Sequence, residues 1–368
     1  MSYHHCVVGL VLLAVCAAFP ALGDGPDHLA TTVSLQESQV RLQPGKDAYV
    51  TQTTRIELTA GENDLAFDFG TLGIPLDALD FGVEAAAGRL TVSELSIVPQ
   101  APGVAHWTVT ADERCGARVT VGFPLKGIEW RVEYSAVVYR DVATLDIKAG
   151  LVITNKSPIQ FPAAQVSLPG GLLLTIPLKR DETLEAHLYT ANSVPYQASF
   201  VYDAPRYGAG VVALMRVLRQ GDAQFAQSPV PAGKIRLYAP GAPGVYLGED
   251  NLPYLAPREP VNIKLGTVPD LPVARKLVSA TKIDTRSDVR DKLVLFNEDD
   301  AVEIEVKNLR KVPVDVVVRD EIAGDFAIIK QSDEFSRVDS DTVQFEVTLQ
   351  PGETKTVGYT ARRYNLQP

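Results

Sequence analysis

Cysteine is scarce in this chain: Cys6, Cys16 and Cys115 are the only three among its 368 residues. The first two lie in an N-terminal segment that we expect to be cleaved, so the mature protein keeps one cysteine and no internal disulfide. Its stability must come from burial and backbone pairing, which a chain of this length can supply. We interpret Cys115 as a half-buried structural residue near a turn rather than a nucleophile, because a reactive thiol also needs an activating base.

Compact chemical signatures are missing as well. The sequence contains no His-Glu-x-x-His, Cys-x-x-Cys, Gly-x-Ser-x-Gly, phosphate-loop or EF-hand pattern, which excludes several large enzyme classes. The histidines of the mature chain, His28, His106 and His187, are widely spaced, so we expect no metal site and no cofactor. The densest carboxylates are Glu298-Asp299-Asp300 and Glu249-Asp250, which we interpret as acidic loops between strands.

Positive charge is in deficit. Lysine and arginine number 35 against 45 aspartates and glutamates, which gives a formal net charge of -10. Binding to a nucleic-acid backbone needs clustered cations, so we exclude nucleic acid as a partner. Hydrophobic residues make up 46% and charged residues 22%, which is the composition of an ordinary globular protein. The chain is longer than a usual single domain, so two or three cores are expected.

Long apolar runs are confined to the N-terminus, where residues 6–19 carry no charge and Pro20-Ala21-Leu22-Gly23 supplies small residues at alternate positions. This pattern predicts a signal peptide over residues 1–23, cleaved after Gly23. The run is shorter than the roughly 20 apolar residues that span a bilayer. We therefore expect an exported protein, periplasmic or extracellular, with no transmembrane segment after cleavage. An uncleaved anchor stays open, since the residues before the run lack Lys and Arg.

Apolar and polar residues alternate with period two through most of the remaining chain, a pattern typical of strands with one buried face. Two runs near the C-terminus show it most clearly. Their expected core residues are Val302, Ile304, Val306, Val343, Phe345 and Val347. Residues 210–219 match helical spacing in part, but Gly208, Gly210 and the β-rich neighbours favour a strand.

Turn signals and shifts in composition predict an all-β protein of two or three antiparallel β-sandwich modules. After the signal peptide we expect an N-terminal β module over residues 24–125 and a central β module over residues 126–274. The C-terminal module, residues 275–368, is expected to be an immunoglobulin-like or fibronectin-like sandwich. The sequence LQPG at residues 42–45 returns at residues 349–352, which we interpret as a repeated turn and not as a duplicated domain.

Several strand and turn fragments in the second part of the chain resemble one bacterial family. The fragments are LKGIEWRVEY (125–134), LVITN (151–155), PAGKIRLY (231–238), LGED (247–250), KLG (264–266), VKN (306–308), PV (313–314) and LQPGE (349–353). In this order they resemble the uncharacterised domain found at the C-terminus of mucoidy inhibitor A-like proteins and in related exported proteins. The coiled-coil insert of many such relatives is missing here. The resemblance implies an exported β protein, and it implies no active site because the family has no established activity.

Hypotheses from different classes of function fit these observations. We favour a non-enzymatic envelope or extracellular protein that binds protein or glycan or acts structurally, since rigid sandwiches present loops and catalytic signatures are missing. The alternative is a carboxylate-dependent hydrolase of cell-wall or extracellular polysaccharide, which needs two carboxyl groups roughly 5 to 10 Å apart beneath exposed aromatic residues. A third hypothesis is assembly by strand addition, which needs a long, uncharged and unpaired edge strand.

The binding hypothesis points to the connection between the strands expected at residues 234–238 and 261–265, which is dense in Pro and Gly. Its candidate binding residues are Tyr246, Glu249, Asp250 and Tyr254. Prolines lower the entropy that is lost when a loop is ordered, and tyrosines give contact area with few rotatable bonds. The alternative interpretation is that the tyrosines cover a sheet end and that residues 247–250 form a structural turn.

Overall fold

The structure is a computed structural model, and it describes residues 31–33, 36–86, 88–97, 99, 101–221 and 224–368. The expected signal peptide over residues 1–23 and His28 lie outside the described residues. The chain divides into two compact units. Unit 1 comprises the described residues up to Gln36 and those of Gln52–Gly122, and unit 2 comprises the described residues of Glu37–Thr51 and Phe123–Pro368. The module boundaries expected at residues 125/126 and 274/275 stay a prediction.

Twenty-four strands, two short α-helices and two 3-10 helices are found in the described residues. The elements of the first half are β1 (Thr31–Thr32), β2 (Glu37–Arg41), β3 (Ala48–Leu58), β4 (Gly61–Asp68), the 3-10 helices Gly70–Leu72 and Leu76–Ala78, β5 (Asp80–Ala85), β6 (Leu90–Ile97), β7 (Val104–Ala111), β8 (Cys115–Leu125), β9 (Ile128–Tyr139), β10 (Thr144–Asn155), β11 (Phe161–Ser167) and β12 (Leu173–Leu178). The elements of the second half are β13 (Glu182–Asp203), α1 (Ala204–Tyr207), β14 (Val211–Val217), α2 (Gln224–Gln227), β15 (Gly233–Ala239), β16 (Val245–Leu252), β17 (Val261–Thr267), β18 (Val273–Ser287), β19 (Leu293–Lys307), β20 (Val314–Glu321), β21 (Phe326–Gln331), β22 (Phe335–Arg337), β23 (Thr342–Leu349) and β24 (Thr354–Leu366).

Sheets of mostly antiparallel strands make up the fold, which confirms the expected all-β, sandwich-like class. The residues with partial helical spacing form β14, so the strand expected there is confirmed. Nowhere in the described ranges is there a helix with the length and apolar character needed to cross a bilayer.

Unit 1 holds a four-stranded sheet in the order β1-β4-β7-β6 and the antiparallel pair of β5 with β8. Burial alternates at every position along β7, so Trp107 and Val109 are buried while their neighbours are partly exposed. The Phe81 ring of β5 stacks on Trp107 with 4.3 Å between the ring centroids. Cys115 is buried at the start of β8. Period-two alternation therefore accounts for the local structure of this unit.

Unit 2 holds a ten-stranded sheet and a four-stranded sheet in the order β18-β19-β24-β21. The longest path through the ten-stranded sheet is β16-β15-β9-β10-β13-β20-β23-β22, and β14 and β17 pair beside β13. One core cluster of this unit contains all the residues that alternation predicted as core, each at most 3% exposed. These residues are Val302, Ile304, Val306, Val343, Phe345 and Val347.

Unit 2 contains an internal structural repeat. In repeat 1, β9 and β10 form an antiparallel hairpin, β13 returns along β10, and β11 pairs with β12 and, in parallel, with β2. In repeat 2, β18 and β19 form the hairpin, β24 returns along β19, and β20 pairs with β23 and, in parallel, with β13. The two copies share this order of strand pairing and not residue identity.

A buried asparagine marks the same place in both repeats. The Asn155 side chain donates to the carbonyl oxygen of Leu178 at 3.1 Å, and Asn308 donates to that of Leu349 at 3.2 Å. Each also donates to the carbonyl oxygen four residues ahead, at 2.7 Å and 2.9 Å respectively. Leu349 therefore corresponds to Leu178 in repeat 1, and not to Leu42. The LQPG sequences at residues 42–45 and 349–352 thus do not hold equivalent positions in a duplicated domain, and they are a repeated turn, as expected.

Candidate functional site

Five neighbouring strands, in the order β16-β15-β9-β10-β13, form one surface of unit 2. Alternation along β9 sends Val132 and Tyr134 into the core, where each is 1% exposed, and turns Arg131, Glu133 and Ser135 to the opposite side. We call this side the outer face. The adjacent strands contribute six further polar residues to it, namely Lys148, Glu185, His187, Lys234, Arg236 and Glu249.

Charged side chains on the outer face form a row of ion pairs across β9, β15 and β16. Glu133 accepts from Nε of Arg131 at 2.7 Å and from Nη1 of Arg236 at 3.0 Å. Glu249 accepts from Nζ of Lys234 at 2.8 Å and lies 3.7 Å from Nε of Arg236. Arg131 and then Arg236 hold the pKa of Glu133 below its ordinary value, and Lys234 holds the pKa of Glu249 low in the same way. Both carboxylates are therefore ionised at neutral pH.

A groove of about 440 Å³ opens on the outer face beside the ion-pair row. Gly150 lines this groove, since the strand register places it between Glu133 on β9 and His187 on β13. Glu303 holds the corresponding position in repeat 2, where it lines a groove of about 250 Å³ beside β19, β24 and β21. Glycine leaves the space above residue 150 open, whereas a glutamate side chain stands at the corresponding position in repeat 2.

Two charged side chains in this groove have no ion pair. Lys148 from β10 and Glu185 from β13 line it, and neither lies within 4.0 Å of an opposite charge among the described residues. The Glu185 carboxylate lies 3.6 Å from the point where a Cβ on Gly150 would stand. Nε2 of His187 lies 3.4 Å from Oγ1 of Thr190. A cation, a carboxylate and an imidazole thus border one cavity, and such groups bind carboxylates and hydroxyls.

Two tyrosines extend the outer face at the end of β15 and the start of β16. Tyr238 and Tyr246 pair across the strands, with ring centroids 5.9 Å apart in an edge-to-face arrangement. Tyr246 is 53% exposed. Tyr238 follows Arg236 by two residues, which places the rings about 7 Å along the strand from the ion-pair row. Amphipathic rings beside a polar groove are typical of recognition surfaces.

The structure brings only two of the four expected binding residues together on one surface. Tyr246 and Glu249 lie on the outer face. Asp250 turns towards β17, where its Oδ2 accepts from the backbone N–H of Lys264 at 2.7 Å. Tyr254 follows the end of β16 and is half-exposed. Glu249 and Asp250 are strand residues, so the expectation of an acidic loop at this place is wrong.

The second acidic run is also part of a strand. Glu298, Asp299 and Asp300 lie in β19 and face the arginines of β24, so the loop expected there is wrong as well. Arg362 makes two hydrogen bonds to Asp299, each of 2.8 Å, and Arg363 pairs with both Glu298 and Asp300. Within the part of the chain that the structure describes, no group of three or more His, Cys, Asp or Glu side chains is arranged to hold a metal ion.

Sequence reasoning missed the groove because its residues come from strands that are far apart in the chain. Lys148 and Gly150 belong to β10, Glu185 and His187 to β13, and Arg236 to β15. Strand register alone brings them together. One signal was available: Gly150 interrupts an alternating run, and a glycine inside a strand pattern marks a bulge or a place of close approach.

No protein-family model, no curated protein and no solved structure matches this chain. The resemblance to the domain of mucoidy inhibitor A-like proteins therefore stays a prediction. What the molecule binds must be argued from its own surface.

Proposed function

We propose that this chain is an exported, non-enzymatic binding protein of the bacterial envelope, and that the groove on its outer face binds an acidic saccharide. The observation that carries the proposal is the unpaired Lys148 and Glu185 in a groove beside Tyr238 and Tyr246. Lys148 offers a cation to a carboxylate, while Glu185 and His187 offer hydrogen-bonding partners to hydroxyl groups. The tyrosine rings offer a flat apolar surface to the C–H face of a sugar.

Export through the signal peptide over residues 1–23 belongs to this proposal, and so does a periplasmic or extracellular location. Cell-wall and extracellular polysaccharides are the acidic saccharides that such a location offers. An immunoglobulin-like C-terminal sandwich also belongs to the proposal, as a rigid support beside the binding surface.

The lowered pKa of Glu133 does not suit the acid catalyst of a hydrolase that works by paired carboxylates. A glycoside hydrolase of that kind needs one carboxylic acid whose pKa is raised, so that it can donate a proton. The pKa of Glu133, which lines the groove, is instead lowered by Arg131 and Arg236. The other carboxyl groups with resolved pKa shifts are also shifted downward, namely Glu249, Asp299, Asp333 and Asp339.

The test is titration calorimetry of the mature protein with three probes: soluble cell-wall fragments that contain muramic acid, oligouronates, and neutral cello-oligosaccharides. We expect one acidic probe to bind at least about tenfold more tightly than the neutral probe, since Lys148 adds a charge-assisted contact to a carboxylate. The two acidic probes distinguish a cell-wall ligand from an extracellular polysaccharide. Equal affinity for all three probes, or no binding to any, contradicts the proposal.

Gly150→Gln is the variant that tests the groove. It adds a side chain as long as that of Glu303 in repeat 2, and the nearest atom to a Cβ at residue 150 is 3.6 Å away, so the backbone accepts it. We expect at least about tenfold weaker binding at an unchanged melting temperature, because the groove is filled. The matched control is Gly82→Gln on β5, where nothing lies within 4 Å of a Cβ. Wild-type affinity in Gly150→Gln places the ligand elsewhere.

A further inference from the structure

The two repeats differ at one edge. In repeat 1, the outer edge of β9 is occupied by β15, which runs parallel to it from Gly233 opposite Val132 to Tyr238 opposite Val137. In repeat 2, the corresponding strand is β18, which ends the order of its four-stranded sheet. Among the described strands, β18 pairs with β19 alone. One sheet edge is therefore filled in repeat 1 and open in repeat 2.

The open edge is long and accessible. Thirteen of the fifteen residues of β18 are exposed, including Leu277 and Val278 at 50% and 48%. In an antiparallel pair, alternate residues direct their N–H and C=O groups away from the partner strand. About half of the backbone groups of β18 therefore face outward as a template for another strand.

The charge of β18 is opposite to that of the protein as a whole. Its ionisable residues are Arg275, Lys276, Asp284, Lys282 and Arg286, four cations against one acid, in a chain of formal net charge -10. Arg275 is paired with the buried Asp320 at 2.8 Å. Lys282 lies over the Phe296 ring at 4.3 Å. Lys276 and Arg286 form no ion pair among the described residues, so this edge is not the uncharged one that unselective strand addition needs, and it favours an acidic partner.

The filled edge of repeat 1 shows how charge selects the added strand. Glu133 on β9 is bound there by Arg236 of β15 at 3.0 Å. Lys276 of β18 occupies the position that corresponds to Glu133, since both lie opposite the residue that repeat 1 fills with Gly150 and repeat 2 with Glu303. The charge at this position is therefore negative in repeat 1 and positive in repeat 2. A strand that adds beside β18 needs an acidic side chain where β15 carries a basic one.

We propose that β18 is a docking edge for an extended acidic segment of a partner protein, which adds beside β18 as β15 adds beside β9. A second copy of this chain is a poorer partner, because pairing β18 with itself brings together two strands with an excess of cations. The site is separate from the saccharide groove, and it rests on the repeat and not on the proposed ligand.

Two synthetic peptides test the docking edge. One copies residues 233–238 of β15, and the other copies them with glutamate in place of Lys234 and Arg236. Fluorescence anisotropy with the mature full-length protein is expected to show at least about tenfold tighter binding of the acidic peptide. Lys276→Glu is expected to weaken the acidic peptide and strengthen the basic one, while Lys311→Glu, on an exposed loop, leaves both unchanged.

Three outcomes contradict the proposal. If the cations of β18 serve only to keep the edge unpaired, neither peptide binds. If Lys276→Glu leaves the preference between the peptides unchanged, the acidic peptide binds somewhere else. If sedimentation shows a dimer that Lys276→Glu dissociates, the occupant of the edge is a second copy of the chain.

Discussion

Asn155 and Asn308 show at residue scale what holds each repeat together. Asn155 and Asn308 are 1% and 0% exposed. Each side chain donates a hydrogen bond to the backbone carbonyl oxygen at the end of a distant strand, Leu178 of β12 or Leu349 of β23. Each Oδ1 accepts the backbone N–H two residues ahead, at 3.0 Å and 2.9 Å. Buried backbone carbonyls need donors, and an amide is the side chain that donates and accepts at one point.

Replacing either asparagine by alanine is expected to lower the free energy of unfolding by about 2 to 4 kcal/mol, because buried carbonyl oxygens lose their donors. The matched control is Asn262→Ala at an exposed position of β17, which should change the free energy by less than about 0.5 kcal/mol. Urea denaturation measures all three variants. Equal effects at the buried and exposed sites would show that the side-chain hydrogen bonds do not contribute.

Arg219 is a further buried polar residue that the sequence pattern does not indicate. It is 2% exposed and donates to backbone carbonyl oxygens of Phe225, Ser228, Ala256 and Glu259. Burial lowers its pKa. Because these oxygens lie before β15 and after β16, this one side chain connects the two ends of the segment that carries the tyrosine pair. An isolated arginine in a sequence gives no sign of such partners.

At the scale of elements, the register of β23 decides which side chains reach the core. Phe345 is fully buried and stacks on Tyr359 with 5.8 Å between the ring centroids, while its neighbour Glu346 is exposed. Phe345→Ala is expected to cost about 3 to 5 kcal/mol, because it removes a large side chain and leaves a cavity. Glu346→Ala should stay within about 0.5 kcal/mol of the wild type. Similar losses at both positions, measured by chemical denaturation, would mean that the register is shifted by one residue.

The strands, and the residues of each strand that face the core, could be predicted from the sequence. The residues that pair with them across the sheet could not. The alternation of Val302, Ile304 and Val306 needs only the period of a strand, and the structure confirms it. The loop predicted for the acidic run at residues 298–300 is wrong, because the arginines that neutralise this run follow more than 60 residues later, in β24. A run of like charge is typical of loops only where no cross-strand partner is present.

At the scale of the whole molecule, the repeat and the groove depend on pairing between distant strands. Asn155 and Asn308 are visible in the sequence, but their equivalence rests on the pairing of two further strands in each copy with the strand that precedes the asparagine or ends at it. The groove likewise needs Gly150, Glu185 and Arg236 to become neighbours. Tyr246 and Glu249 could be proposed from composition alone, because tyrosine and charge in a Pro-rich segment already favour recognition.

Hydrogen–deuterium exchange tests the central claim, that the outer face binds an acidic saccharide, most directly. The mature protein is compared with and without the acidic probe that binds in calorimetry. We expect slower exchange in β9, β10, β13 and β15, which line the groove, and unchanged exchange in β18, whose edge lies in repeat 2. Protection confined to any other part of the chain, or no change with either acidic probe, would contradict the account.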